Sequence, residues 1–198
     1  MLMIALIEAI ALHEFAHALV ADLQGDRLPR AMGRLSLNPT RHLDPLGTVF
    51  IVLLGFGWGK PVEFRPSALA SKRFGAAMVA LAGPLTNFVL AVAAAFPLAA
   101  LLNRGDFSSP IVVFLSYFVP VNALLAVFNL LPLPPLDGSR LLTIFLPPRR
   151  QNIIYFLDRW GFLILIGIVF LGGSAFLLPV RDHLVNWMLN LAGSHFRI

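Results

Sequence analysis

No cysteine occurs among the 198 residues, which excludes disulfides, thiolate metal sites and a thiol nucleophile together. Charge is scarce too: Asp, Glu, Lys and Arg make up 13% of the chain, against ~25% in soluble domains. The net charge of +5 comes without any run of five or more basic residues. That argues against nucleic acid and for loop arginines facing a membrane. Low-complexity stretches, internal repeats and interdomain linkers are absent as well. What is present is apolar: 58% of the residues are hydrophobic, and the mean hydropathy is +0.82. A soluble domain of this size has no interior large enough to hide that surface. The composition is that of a membrane protein.

A spanning helix needs about 20 apolar residues. Phe74–Asn103, Phe107–Leu136 and Trp160–Val180 contain no Asp, Glu, Lys or Arg, and each is long enough. The first holds ten Ala and two Gly, the small residues of helices that pack closely on neighbours. Met1–Ala21 is apolar except for Glu8, His13, Glu14 and His17. It lacks the basic n-region of a signal peptide and reads as a further span, in which ionisable residues are functional candidates.

Pro45–Gly59 is short for a span, and basic residues flank it on both sides: Arg27, Arg30, Arg34 and Arg41 before, Lys60, Arg65, Lys72 and Arg73 after. The positive-inside tendency therefore favours re-entry over crossing. Both flanking loops, and the loop of Arg140, Arg149 and Arg150, then face the cytoplasm, with the N-terminus external. Beyond Pro179, Asp182–Ile198 alternates apolar and polar residues and is expected at the membrane interface. Val62-Glu63-Phe64 alternates as a strand does, and Pro61 confines such a strand to a sheet edge where a substrate can pair. Arg34–Leu37 is its candidate partner. The expected architecture is an all-α polytopic membrane protein with a small β element in the connector. It is one domain over 1–198, with about four transmembrane helices (1–21, 74–103, 107–136 and 160–180), a re-entrant segment at 45–59 and an interfacial tail at 182–198.

His13-Glu14-Phe15-Ala16-His17 is an H-E-x-x-H motif on a predicted helix. Residues four apart share one helical face, so both imidazoles reach one metal, and Glu14 points about 100° away, free to hold a water. Catalytic zinc takes three protein ligands and keeps one open position. Candidates for the third ligand are Asp137, Asp158, Asp182, His42, Asp44 and His183. Asp137 ends the run Asn129-Leu-Leu-Pro132-Leu-Pro-Pro-Leu-Asp137-Gly138, whose prolines break the helix and let the carboxylate turn inward. A plain helix-end turn has the same pattern, so spacing alone leaves the choice open.

These two motifs, in this order, resemble those of the site-2 proteases, intramembrane zinc metalloproteases. Ala82-Gly83-Pro84-Leu85-Thr86-Asn87 is similar to that family's G-P-x-x-N segment. Arg34-Leu-Ser-Leu-Asn38-Pro39 and His42-Leu-Asp44-Pro45-Leu-Gly47 resemble the connector of its compact prokaryotic branch. The resemblance runs from about residue 10 to 145. It implies one zinc ion per chain on His13, His17 and Asp137, Glu14 as general base, and three core spans, 1–21, 74–103 and 107–136. Many members carry a preceding span, and some branches a PDZ or CBS domain; neither is read in these residues. The implied activity is hydrolysis of a peptide bond in or near a transmembrane segment, in the cell membrane. The expected partners are a transmembrane protein substrate, membrane lipid and a regulatory membrane protein, and not nucleic acid.

Other polar residues carry weaker signals. Asn129 suits either an oxyanion donor or an interhelical hydrogen bond, and the resemblance favours the substrate role. Asn87 reads as helix-packing glue. Glu8 lies about 140° around the helix from His13, outside the ligand set. His42 and Asp44 read as a turn with Asp44-Pro45 starting a helix. Two rival functions stand beside proteolysis. A zinc-binding scaffold without activity would have little reason to keep Glu14, and a metal transporter needs polar residues across the bilayer, where Trp160–Val180 offers only Ser174.

Overall fold

Prolines, glycines and side-chain caps divide the chain into eight α-helices among the described residues. The structure, a computed structural model, describes residues 1–54, 57–145, 151–168, 172 and 174–196. The helices are α1 (Leu2–Leu23), α2 (Leu28–Ala31), α3 (Pro45–Leu54), α4 (Lys72–Asn103), α5 (Pro110–Asn129), α6 (Asp137–Phe145), α7 (Gln151–Ile168) and α8 (Ser174–Leu191). Short 3-10 turns lie at Pro39–Arg41 and Pro66–Ala68.

Three helices are long and apolar enough to cross a membrane: Leu2–Leu23, Phe74–Asn103 and Pro110–Asn129. They correspond to the three expected core spans, but the third is shorter at both ends than the charge-free window 107–136. At its start, Asp106 Oδ1 accepts the amides of Ser108 and Ser109 in a turn. Ser109 then caps the Val112 amide, with Pro110 in the first helical position, a favourable arrangement because proline has no N–H to waste there. At its end, Pro132, Pro134 and Pro135 cannot continue a helix. The expected fourth span, Trp160–Val180, divides between α7 and α8, and its residues 169–171 and 173 lie outside the described residues.

The core is built from small side chains. Ala5 and Ala9 of α1 and Ala91, Ala95 and Ala99 of α4 are fully buried, which lets helix axes approach closely. The stretch expected as an interfacial tail begins inside α8, where Val185, Met188 and Leu189 are buried in the same cluster.

The connector between α1 and α4 is held by charge. Asp22 binds the guanidinium groups of Arg27 and Arg30 at 3.0 and 2.7 Å. Asp26, fully buried, accepts the Arg65 amide at 2.5 Å, its guanidinium at 2.8 Å and the Leu28 amide at 3.1 Å. Burial works to raise the Asp26 carboxyl, but these donors outweigh it and hold it below the ordinary carboxylate range. Arg34, also buried, donates to the carbonyls of Arg41, Lys60 and Pro61.

The segment expected to re-enter opens and closes at one place. Leu43 and Gly59 form an antiparallel bridge, and the Lys60 amide donates to the His42 carbonyl at 2.7 Å. Asp44 Oδ1 caps α3 by accepting the Gly47 amide at 2.8 Å, as the Asp44-Pro45 pair suggested. A side chain at Gly47 would lie 2.1 Å from the Trp58 carbonyl oxygen, so only glycine permits this closure. At ten residues α3 is about 15 Å long, half the ~30 Å of a hydrocarbon core. Residues 55 and 56 lie outside the described residues.

The expected β element, Val62–Phe64 paired with Arg34–Leu37, is not formed: among the described residues there is no sheet, and the bridge joins Leu43 and Gly59 instead. Residues 61–65 form neither helix nor strand. The side chain of Arg34, rather than the backbone of 34–37, supports them. Alternation over three residues is too short a signal to specify a paired strand.

Candidate metal centre

The i, i+4 spacing on α1 sets the two imidazoles of the motif side by side. Their Nε2 atoms are 3.0 Å apart, with ring centroids 4.6 Å apart and planes at 82°. Both residues are buried. Asp137 opens α6, and its Oδ2 lies 3.1 Å from His13 Nε2 and 3.2 Å from His17 Nε2. Gly138 makes this possible, because a Cβ there would fall 2.3 Å from the Leu130 carbonyl oxygen and 2.4 Å from that of Leu131. Only glycine lets the start of α6 fold so tightly onto the end of α5. The break that the prolines implied therefore does turn the carboxylate inward.

The outer edge of each imidazole is held from α4. His13 Nδ1–H donates to Asn87 Oδ1 at 2.6 Å, and His17 Nδ1–H donates to the Val79 carbonyl at 2.6 Å. The Val79 carbonyl can only accept. Asn87 presents its oxygen to His13 because its Nδ2 donates to the Ala9 carbonyl at 3.2 Å. With the protons on Nδ1, both Nε2 atoms carry lone pairs, and both face a carboxylate. With both imidazoles neutral, three electron donors thus converge with no proton between them, an arrangement that a cation suits.

The donor set also suits a particular ion. A tetrahedral site with bonds of 2.0–2.1 Å spaces its ligand atoms about 3.3 Å apart, close to the three separations here. Nitrogen, nitrogen and carboxylate oxygen are the ligand types of a catalytic zinc site. Among the described residues, His13, His17 and Asp137 are the one group of three or more so disposed.

The other third-ligand candidates are elsewhere. Asp44 caps α3, Asp182 pairs with Arg181 at 2.5 Å, and Asp158 lies on α7 and His183 on α8. His42 is buried in the connector with Nε2–H donating to the Ser36 carbonyl at 2.6 Å. Asn129 stands at the end of α5, half-buried, and its Nδ2 donates to the Leu125 carbonyl at 3.0 Å. Glu14 Oε2 accepts the Val62 amide at 3.2 Å.

Residues 1–104 and 103–171 match the family model described as Peptidase family M50. The chain belongs to this family, the site-2 proteases. Among curated proteins it is 36% identical over 194 residues to "Putative zinc metalloprotease YwhC" of Bacillus subtilis, covering 96% of this chain and 85% of that one. Three proteins named "Putative zinc metalloprotease Rip2" also match, one from Mycolicibacterium smegmatis and two from strains of Mycobacterium tuberculosis. The one from Mycolicibacterium smegmatis is 36% identical, covering 80% of this chain and 62% of that protein. The one from Mycobacterium tuberculosis strain H37Rv is 31% identical, covering 96% and 73%. No solved structure matches the chain.

Of four supports of this centre, sequence reasoning read Asn87 as packing glue, met Gly83 only within the G-P-x-x-N resemblance, and left Val79 and the Val62 amide unassigned. Three of them had a legible signal. Val79, Gly83 and Asn87 recur every four residues, one stripe of α4, and the stripe faces the histidines. At Gly83 a Cβ would lie 2.4 Å from His17 Nε2 and 2.5 Å from His13 Nε2. Gly83→Ala should therefore lower zinc retention about tenfold or more while far-UV circular dichroism stays unchanged. A fully zinc-loaded Gly83→Ala protein would show that the imidazoles can move aside.

Proposed function

We propose that this chain is a zinc-dependent intramembrane endopeptidase that hydrolyses a peptide bond in or near a transmembrane segment of another membrane protein. The observation that carries this reading is the convergence of His13, His17 and Asp137 between apolar helices, with Glu14 held beside them. Zinc, when bound, polarises the scissile carbonyl and makes water a nucleophile near neutral pH. Glu14 takes the proton from the attacking water and delivers it to the leaving amine. The Val62 amide on Oε2 keeps that carboxylate from swinging away. Asn129 donates to the oxyanion once its amide leaves the Leu125 carbonyl.

Ligands and base do separable jobs, and metal analysis of purified variants reads the difference. His13→Ala, His17→Ala and Asp137→Ala should each lose zinc, whereas Glu14→Gln should keep zinc and lose cleavage of a membrane-anchored reporter. Cleavage surviving in Glu14→Gln would exclude Glu14 as the base, and a zinc-replete Asp137→Ala would point to another ligand. Asn129→Ala should lower kcat by about 10²–10³ with KM little changed, the cost of one oxyanion donor. An unchanged kcat would leave Asn129 a packing residue.

The chain is read as a multi-pass protein of the cell membrane with its N-terminus external. Residues 45–59 dip into the membrane and return, so that the metal centre lies toward the cytoplasmic side. The short α3 and the meeting of Leu43 with Gly59 support this, as do the basic residues on both flanks. Single cysteines replacing the exposed Leu37 and Ser67 should both react with an impermeant reagent from the cytoplasm, against a background free of native thiols. Labelling from opposite sides would show that the segment crosses.

A further inference from the structure

Asn122, in the middle of α5, is fully buried and has no direct hydrogen bond to the metal cluster. Its Nδ2 donates to the Phe118 carbonyl at 2.9 Å, one turn back along its own helix. Its Oδ1 accepts from Asn87 Nδ2 at 2.8 Å. We propose that Asn122 is a positioning residue for the metal centre: together with the Ala9 carbonyl it holds the Asn87 amide, and through Asn87 it sets which imidazole nitrogen of His13 is free to bind zinc. The inference rests on the zinc reading given above.

An asparagine amide is nearly symmetric in shape and can present either its oxygen or its nitrogen to a neighbour. If Asn87 turned its NH₂ toward His13, Nδ1 would have to accept, and the imidazole proton would sit on Nε2. That nitrogen faces His17 and Asp137, and a protonated nitrogen cannot ligate. The far side of Asn87 prevents the turn. Two acceptors wait there, the Ala9 carbonyl and Asn122 Oδ1, and both N–H groups of Asn87 are used on them. A turned amide would set three oxygens together with no proton among them, in a buried place where unpaired polar groups cost several kcal/mol.

Asn122 has the same ambiguity, and it is settled in the same way. Its NH₂ is committed to the Phe118 carbonyl, a backbone group that can only accept. The chain of donors therefore has one direction: Asn122 to Phe118, Asn87 to Asn122, His13 to Asn87. The relay ends on two main-chain acceptors whose polarity cannot change, the Ala9 carbonyl on Asn87 and the Phe118 carbonyl behind Asn122, so the tautomer of His13 is set by Asn87 with Asn122 as its second anchor. Helix packing alone would require only that these groups bond to one another, in either direction.

The experiment separates positioning from packing. In detergent, zinc affinity is measured by competition with a chelator for wild type, Asn122→Leu and Asn122→Asp. Asn122→Leu removes the acceptor and should weaken zinc binding about 10- to 100-fold, the range for losing a group that orients a ligand. Asn122→Asp keeps an oxygen toward Asn87, and in its acid form a hydroxyl toward Phe118, so it should bind zinc much as wild type does. In zinc-free protein with ¹⁵N-labelled histidine, NMR should find the His13 proton on Nδ1 in wild type and Asn122→Asp, and on Nε2 to a growing extent in Asn122→Leu. Wild-type affinity in Asn122→Leu overturns the proposal, and so does equal loss in both variants. Should Asn122→Leu not fold, a wild-type His13 proton on Nε2 overturns it by itself. A wild-type protein that binds no zinc but keeps the Nδ1 proton would refute the zinc reading and leave the relay standing.

Discussion

Two imidazole nitrogens and a carboxylate oxygen, all electron-rich, sit within 3.0–3.2 Å of one another in an apolar bundle. Unpaired donors and acceptors in such a place cost several kcal/mol each. The cluster persists because each imidazole spends its proton elsewhere, on Asn87 and on the Val79 carbonyl. Those two acceptors, the glycine that leaves room between them and the kinked run that delivers Asp137 are all consequences of holding three lone pairs toward one point. The arrangement asks for a cation, and the surrounding helices supply rigidity.

That rigidity comes from close approach more than from large side chains. Between helices in lipid there is no hydrophobic gain, since acyl chains are as apolar as leucine. Packing of small residues and interhelical hydrogen bonds must do the work. Ala5, Ala9, Ala91 and Ala95 bring backbones together, and only at such distances can one short asparagine bridge α1 and another join α4 to α5. The alanine content of α4 and the precision of the metal centre thus have one origin.

Much of this was legible in advance, for identifiable reasons. Helix periodicity alone puts His13 and His17 on one face, and three charge-free or nearly charge-free windows correspond to the three long apolar helices. Asp137 was one candidate among six by spacing, because a carboxylate after a proline-broken helix looks the same whether it ligates or caps. Asn87 was read as packing glue because an interhelical asparagine has no sequence mark that distinguishes bridging from orienting. Its place on a stripe with Val79 and Gly83 was the available clue. The edge strand failed for another reason: its supports are side chains, Arg34, Glu14 and Asp26, and side-chain support leaves no alternation of its own.

Residues 60–65 also show how support is divided between parts of the molecule. His13, His17 and Asp137 are braced from within the bundle, by α4 and by the start of α6. Glu14 is braced from the connector, through the Val62 amide. That segment is in turn fixed at both ends, by Arg34 on the carbonyls of Lys60 and Pro61 and by Asp26 on Arg65. It also touches the helix of the third ligand, where the Arg140 guanidinium lies 4.8 Å from the centre of the Phe64 ring. A displacement of residues 60–65 therefore reaches the Glu14 carboxylate through the Val62 amide, and the Asp137 helix through the Phe64–Arg140 contact, but neither histidine directly. Since those residues follow directly on the bridge between Leu43 and Gly59, the position of the Glu14 carboxylate is coupled to the connector more directly than the positions of His13 and His17 are.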